Sequence, residues 1–230
     1  MNFGWKVISG YFIGYLLVYF LTHWTWDILM LLKQRGKAHY PYPKSQNFFG
    51  IICFCLSTIS FWIFLVIIPI RSIVLKADTY TSLIFLDGTY LWARFLGMVL
   101  MSFGLIVGVL GRWARGFYQA DNILKLQTRL GFAFTRHPNY FQYICGFLGL
   151  PFLSLHLGTI LISIFGIYGY YIFAREEERS LLLEFGDAYR KYQDKVGMFF
   201  PKICKINSSN LQLISYTSSK RKGKVTTVTV

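Results

Sequence analysis

The stretch TRHPNYFQYICGFLGLPFLSLHLGTILISIFGIYGYYIFAREEERS, residues 135–180, contains two apolar runs that are flanked on both outer sides by polar side chains. The runs cover about residues 140–155 and 157–174, so the sequence predicts a tight hairpin of two helices. The two helices of such a hairpin lie side by side. We therefore expect His137 and Glu177, which stand at the two outer ends, to meet at the same end of the hairpin.

Three further apolar runs precede the hairpin, at about residues 7–24, 48–70 and 90–110. The 230 residues are 54% hydrophobic and 15% charged, which departs from the composition of soluble proteins. About 20 apolar residues let a helix cross the roughly 30 Å hydrocarbon core of a bilayer. The predicted fold class is all-α: a polytopic transmembrane helical bundle of about five spans with a cytosolic C-terminal helical segment. The last span is expected to continue as a helix to about Glu184 and to end at Gly186.

Lysine and arginine side chains collect in the loop after the first run, in the loop before the fourth and after the fifth. Short loops rich in these residues stay in the cytoplasm, so the motif at residues 135–143 is predicted on the cytoplasmic face. Much of the net charge of +14 lies in these juxtamembrane segments, where it meets anionic lipid headgroups. We therefore expect an integral membrane protein whose partner is the membrane, with no nucleic acid.

The cysteines and histidines indicate packing rather than metal binding. The four cysteines and four histidines are scattered along the chain, whereas a zinc site needs three or four converging ligands. We therefore expect no metal and no disulfide framework.

The third apolar run carries four glycines, Gly97, Gly104, Gly108 and Gly111. Small residues at such spacing let membrane helices approach closely. The glycines therefore predict that the third span packs against a neighbouring helix.

Pro138 marks the start of the fourth span. Proline is well tolerated in the first turn of a helix, where its missing N–H has no intrahelical partner. The free N–H groups and the positive end of the helix dipole suit a carboxylate or a phosphate, and His137 beside them is expected to be neutral. The alternative is that Arg136 reaches to the membrane interface while His137 and Tyr140 form an aromatic belt.

A second polar cluster follows the fifth span in the segment YYIFAREEERS, residues 170–180. Glu177 falls on the apolar stripe of the continuing helix. Glu176 and Glu178 lie about 100° to either side and are expected to be solvated. The alternative is a solvent-exposed helix in which the flanking arginines pair locally with the glutamates.

Two ordered motifs within residues 112–201 carry a resemblance to a known superfamily. They are RHPNY at residues 136–140 and, after the hairpin, EExxL at Glu177, Glu178 and Leu181, with FGxxYxxY at residues 185–192 and a closing Val196 and Pro201. This order resembles the isoprenylcysteine carboxyl methyltransferase and phospholipid methyltransferase superfamily. RHPNY alone is also similar to a string in membrane sterol reductases that use NADPH.

The resemblance implies an integral membrane enzyme that binds S-adenosylmethionine between the last two spans and the neighbouring cytosolic segments. The residues implied to bind the cofactor are Lys125, Leu126 and Gln127 in a strand-like segment, Phe132, His137, Pro138, Asn139, Tyr140 and Glu177. As catalytic residues, Arg136 and Arg175 are expected to orient an anionic acceptor. The predicted acceptor is lipid-embedded, a prenylcysteine-type carboxylate that enters from the bilayer.

The resemblance also divides the chain into three regions. Residues 1–111 hold the first three spans, and residues 112–204 form a methyltransferase-like, cofactor-binding region with the last two. Residues 205–230 are rich in serine, threonine and lysine and are predicted to be a flexible polar tail.

Three other functions stay open. One is methylation of the amine of a phospholipid headgroup. An NADPH-dependent membrane reductase is suggested by RHPNY alone. A non-catalytic membrane scaffold is favoured by departures from the superfamily pattern at Gln142, Phe173 and Met198.

Overall fold

The computed structural model describes residues 4–25, 28, 32, 47–75, 91–118, 126–154 and 157–202. These residues form seven α-helices and one π-helical turn, with no strand among them. In chain order they are α1 (Gly4–Tyr19), the π-turn (Phe20–Trp24), α2 (Phe48–Leu75), α3 (Leu91–Tyr118), α4 (Gly131–Phe134), α5 (Pro138–Ser154), α6 (Leu157–Phe185) and α7 (Asp187–Lys195). The predicted all-α bundle is confirmed, and the predicted tail, residues 205–230, lies outside the described residues.

Four helical segments in the described part of the chain are long and apolar enough to cross a membrane. They are Lys6–Trp24, Phe48–Ile67, Trp92–Arg115 and Leu157–Phe185. The fourth predicted span corresponds to α5, whose 17 residues extend only about 25 Å, less than the roughly 30 Å of a bilayer core. The polytopic bundle thus has four helices of full spanning length, and the short α5 lies among them.

Close packing of α3 against α5 explains the glycines of α3. A methyl group added to Gly97 would lie 2.8 Å from the carbonyl oxygen of Gly149, near one end of α5. At the other end, a methyl group on Gly111 would overlap the ring of Pro138. The predicted close approach of the third span to a neighbour is confirmed, and that neighbour is α5.

The core of the bundle is aromatic and aliphatic. Five helices contribute to it through the buried side chains Phe12, Phe61, Met101, Phe147 and Tyr170. Large apolar side chains on α1, α2, α3 and α6 are instead exposed, as expected for faces that contact lipid. The protein is an integral membrane protein in which α5 is largely enclosed by the other helices.

The C-terminal end of α6 positions α7. α6 continues beyond its apolar part to Phe185, as predicted, and Gly186 has a φ of 52°, a conformation that favours glycine. The next helix, α7, packs its tyrosines into a second, smaller core. That core consists of Leu126, Leu181, Phe185, Tyr189 and Tyr192. The turn at Gly186 thereby returns the chain to the end of the hairpin.

Candidate active site at the end of the hairpin

His137 lies between two glutamates at the end of the α5–α6 hairpin. Its Nδ1 is 3.2 Å from Glu177 Oε2, and its Nε2 is 3.2 Å from Glu178 Oε1. The His137 residue is only 3% exposed, and both glutamates are buried. α5 begins at Pro138, as predicted, so His137 immediately precedes the first helical residue. The predicted meeting of His137 with Glu177 is confirmed.

The two carboxylates favour the protonated form of His137. Burial alone lowers the pKa of the imidazole, but hydrogen bonds with Glu177 and Glu178 outweigh burial and raise the pKa above its ordinary value. Both ring nitrogens can then donate, each to one carboxylate. The helix dipole, which led us to expect a neutral His137, is a weaker influence than two carboxylates in direct contact.

Arg136 fastens α7 to this cluster. Its Nε donates to Glu178 Oε1 over 2.6 Å, and its Nη1 donates to the carbonyl oxygens of Gln193 and Val196. These contacts explain a positioning role for Arg136 and give no support to its predicted contact with an acceptor, which stays a prediction.

Glu178 is a site residue that the helical pattern placed wrongly. It was expected to be solvated, yet it is 8% exposed. Gln193 of α7 donates through Nε2 to Glu178 Oε2 over 2.9 Å. α7 turns back over α6. It therefore covers the face of α6 that carries Glu178, which lies beside the apolar stripe. A signal was present in the motif itself, since EExxL contains both Glu177 and Glu178.

Arg115, at the end of α3, is a second residue missed by the sequence analysis. Its Nη2 lies 3.7 Å from Glu177 Oε1, and its Cζ lies 5.3 Å from the centre of the Phe132 ring. Phe132 is itself held in place, because Tyr192 donates its hydroxyl hydrogen to the Phe132 carbonyl oxygen over 2.6 Å. The structure therefore adds α3 and α7 to the elements that position the predicted site residues.

Asn139 and Tyr140 lie in the first turn of α5. The Tyr140 ring stacks on His137, with 5.4 Å between ring centres and 7° between planes. Asn139 Oδ1 is buried and has no hydrogen-bond partner among the described residues. A buried acceptor without a partner is costly, so this atom indicates a place where a ligand can donate a hydrogen bond.

The remaining predicted residues lie farther from the charged cluster or outside the described part of the chain. Leu126 belongs to the second core, and Leu126 and Gln127 are buried in a segment without regular structure rather than in a strand. Lys125 lies outside the described residues. Arg175 is exposed, with its Cζ 5.8 Å from the ring centre of Tyr171, so the structure does not bring it to the cluster.

In the described ranges, no group of three or more His, Cys, Asp or Glu side chains is placed to hold a metal ion. His137, Glu177 and Glu178 are neighbours, but each ring nitrogen of His137 faces a carboxylate. The nitrogen and oxygen atoms of these three side chains therefore face one another and do not converge on a position for a metal ion.

Comparison with known proteins gives the class of the chain. The family described as "Protein of unknown function (DUF1295)" matches residues 12–196, and the chain belongs to this family. The family description states no activity. The match includes the hairpin, His137 and both buried glutamates.

Two relatives have names that state an activity. The chain is similar to Methanethiol S-methyltransferase 1 of Bradyrhizobium diazoefficiens, with 32% identity over 94 residues, 37% of this chain and 32% of that protein. It is also similar to Methanethiol S-methyltransferase of Mycobacterium tuberculosis, with 36% identity over 76 residues, 33% of this chain and 30% of that protein. The matched parts therefore span about a third of each relative. Both names agree with the methyltransferase class implied by the motifs, while the isoprenylcysteine superfamily stays a prediction.

Proposed function

We propose that this protein is an integral membrane methyltransferase that uses S-adenosylmethionine. The observation that carries the proposal is the buried group of His137, Glu177 and Glu178 at the first turn of α5. Buried clusters of titratable groups whose charged partners shift their pKa values are typical of functional sites. The two relatives named methyltransferases support the same class.

The residues present fit the polar groups of S-adenosylmethionine. Glu177 accepts from His137 and retains lone pairs for an ammonium or a ribose hydroxyl. The N-terminal turn of α5 suits the amino acid carboxylate, and Asn139 Oδ1 offers a buried acceptor to a donor of the ligand. When bound, the cofactor supplies a methyl group on a sulfonium, which needs a positioned nucleophile rather than extensive acid–base chemistry.

The protein's own contribution is to hold this site rigid and dry. His137 links Glu177 to Glu178 through its two ring nitrogens, and Arg136 ties Glu178 to the backbone at Gln193 and Val196. These contacts fasten the segment after α7 over the end of the hairpin. A closed site of this kind orients the reactants and excludes water. We place it on the cytoplasmic face, because the basic segments of the sequence surround it.

Two acceptor classes follow from different observations. The motifs favour a lipid-linked, prenylcysteine-type carboxylate, which is already ionised at neutral pH and needs no base. The names of the two relatives favour a thiol, which must lose its proton to become the reactive thiolate. Both acceptors are compatible with the cofactor site, because neither alters what Glu177 and Asn139 bind.

The first test uses isothermal titration calorimetry to measure binding of S-adenosylmethionine to the full chain purified in detergent. Glu177→Gln is expected to weaken binding by about tenfold or more, because it removes a buried charge from the contact. The matched control is Glu176→Gln on the same helix, whose carboxylate pairs with Arg179 away from His137. We expect the control to bind as the wild type does.

Absence of binding to folded wild-type protein would overturn the proposal. NADPH titrated into the same sample would then test the reductase alternative. If neither ligand binds, a membrane scaffold becomes the better explanation.

A further inference from the structure

Arg115 connects the buried charged cluster with the outside of the bundle. Its side chain is 31% exposed, whereas the side chain of Glu177, which it faces over 3.7 Å, is 9% exposed. Arg136 also contacts the cluster, but it is only 9% exposed and donates to Glu178 and to two backbone carbonyl oxygens. Of these two arginines, Arg115 is therefore the one that a ligand can approach from outside.

Close packing of three helices sets the position of Arg115. Gly111 lies one helical turn before it, on the same face of α3. A methyl group on Gly111 would overlap the Pro138 ring of α5, and a methyl group on Gly131 of α4 would lie 2.6 Å from the backbone nitrogen of Gly111. The face of α3 that carries Arg115 therefore lies against both α4 and the first turn of α5.

The ring of Phe132 helps to hold the guanidinium group in place. Arg115 Cζ lies 5.3 Å from the ring centre, a distance at which the aromatic face attracts a cation. Phe132 is buried, and its carbonyl oxygen accepts a hydrogen bond from Tyr192. The attraction locates the positive charge of Arg115 beside the site without requiring a hydrogen bond from its N–H groups.

The contact between Arg115 and Glu177 leaves room for a further partner. Its 3.7 Å is longer than a hydrogen bond of about 2.7–3.2 Å. Glu177 is hydrogen-bonded by His137 and Tyr140 instead. A guanidinium group has several N–H donors, so Arg115 can donate to a ligand while it stays beside Glu177.

Opposite charges side by side match the amino acid end of S-adenosylmethionine, which carries an ammonium and a carboxylate on one carbon. Glu177 is complementary to the ammonium, and Arg115 is complementary to the carboxylate. Arginine suits a carboxylate because its planar group can donate two parallel hydrogen bonds. In addition, three basic side chains, Arg115, Arg136 and His137, contact the two glutamates, so a further carboxylate enters basic surroundings.

We propose that Arg115 is a further cofactor-binding residue, whose guanidinium group binds the carboxylate of S-adenosylmethionine beside Glu177 and the first turn of α5. The proposal rests on the function proposed above and deepens it, because it states what recognises the amino acid end of the cofactor. The motifs at residues 136–140 and 177–181 do not include Arg115.

The test compares two ligands by isothermal titration calorimetry on the full chain in detergent. They are S-adenosylmethionine and its decarboxylated form, which keeps the sulfonium and the ammonium but lacks the carboxylate. Wild-type protein should bind S-adenosylmethionine about tenfold more tightly than the decarboxylated form. Arg115→Gln should weaken binding of S-adenosylmethionine by about tenfold and change binding of the decarboxylated form by about twofold or less.

A purely structural role for Arg115 gives a different result. If Arg115 only held Glu177 in place, its loss would weaken both ligands equally, because both carry the ammonium. Arg115→Lys keeps the charge but loses the planar group, so its affinity for S-adenosylmethionine should lie between those of wild type and Arg115→Gln. The matched control is Arg190→Gln, which removes the same charge from an arginine that is 74% exposed and pairs with Asp187 on α7. The control should bind both ligands as wild type does.

Unchanged affinity of folded Arg115→Gln for S-adenosylmethionine would overturn the proposal, as would equal losses for the two ligands. Equal affinities of the wild type for the two ligands would also overturn it, and this comparison holds even if Arg115→Gln does not fold. A wild type that binds no S-adenosylmethionine contradicts the proposed function together with this role. Binding by the wild type that Arg115→Gln retains in full contradicts the role of Arg115 alone.

Discussion

Two buried histidines show how differently this protein satisfies polar groups in two neighbouring parts of the bundle. His137 is surrounded by charge, with a carboxylate at each ring nitrogen. His23 contacts neutral side chains, Thr22 and Gln142. Contact with a carboxylate favours a charged imidazole more strongly than hydrogen bonds to an amide and a hydroxyl do. The difference teaches that one imidazole is held by ionic partners and the other by neutral hydrogen bonds.

The largest effect is expected from breaking the charged cluster. Arg136→Met leaves Glu178 with one cationic partner fewer and detaches the segment after α7, so it should lower the free energy of unfolding by about 3 kcal/mol. Thermal and denaturant unfolding in detergent would measure the loss. Arg179→Met is the control, since this arginine is 64% exposed and its pair with Glu176 contributes about 1 kcal/mol or less. Equal losses in the two variants would mean that the buried cluster contributes no more to stability than an exposed ion pair.

A smaller effect is expected from crowding the neutral pair. Gly108→Ala places a methyl group on the amide of Gln142 and should cost about 2 kcal/mol, because the side chain must move away from His23. Gly10→Ala on α1 meets no atom within 4 Å and should be neutral or slightly stabilising. The same unfolding assay compares them. A neutral Gly108→Ala would mean that the Gln142 amide is not held as tightly as its contacts indicate.

Single hydroxyl deletions should sharpen the comparison further. Tyr192→Phe removes the bond to the Phe132 carbonyl oxygen outside the apolar core and should cost about 1 kcal/mol. Tyr19→Phe removes the bond to the Tyr143 hydroxyl within the bundle and should cost about 0.6 kcal/mol. Matched unfolding curves would show the order. A larger loss for Tyr19→Phe than for Tyr192→Phe would contradict this order.

The mildest expected effect is a dependence of stability on pH. The pKa of His137 is raised in the folded protein, so its contribution is complete below the ordinary value of about 6.5 and is lost as pH rises through the folded value. The free energy of unfolding should therefore decline as pH increases above about 6.5. His137→Gln should flatten this decline. An unchanged slope in the variant would assign the pH dependence to other groups.

Most of the charged cluster could be predicted from the sequence, because local features mark the positions of its residues. Pro138 indicates where α5 begins, the hairpin brings the two helix ends together, and the apolar stripe of α6 turns Glu177 inward. Arg175 was assigned from the same helix, but two residues correspond to about 200° of rotation from Glu177, so its side chain is exposed. A motif places residues along a helix without stating which face each one occupies.

The sequence by itself determined a helical membrane bundle, the hairpin, and the meeting of His137 with Glu177, since these follow from apolar length, proline position and helical period. Only the tertiary structure decided that Glu178 is buried, because α7 must fold back to cover it. Only the tertiary structure joined His23 to Gln142, which are 119 positions apart and lie on different helices. Local patterns specify what a segment forms, whereas contacts between distant segments depend on how all the helices pack together.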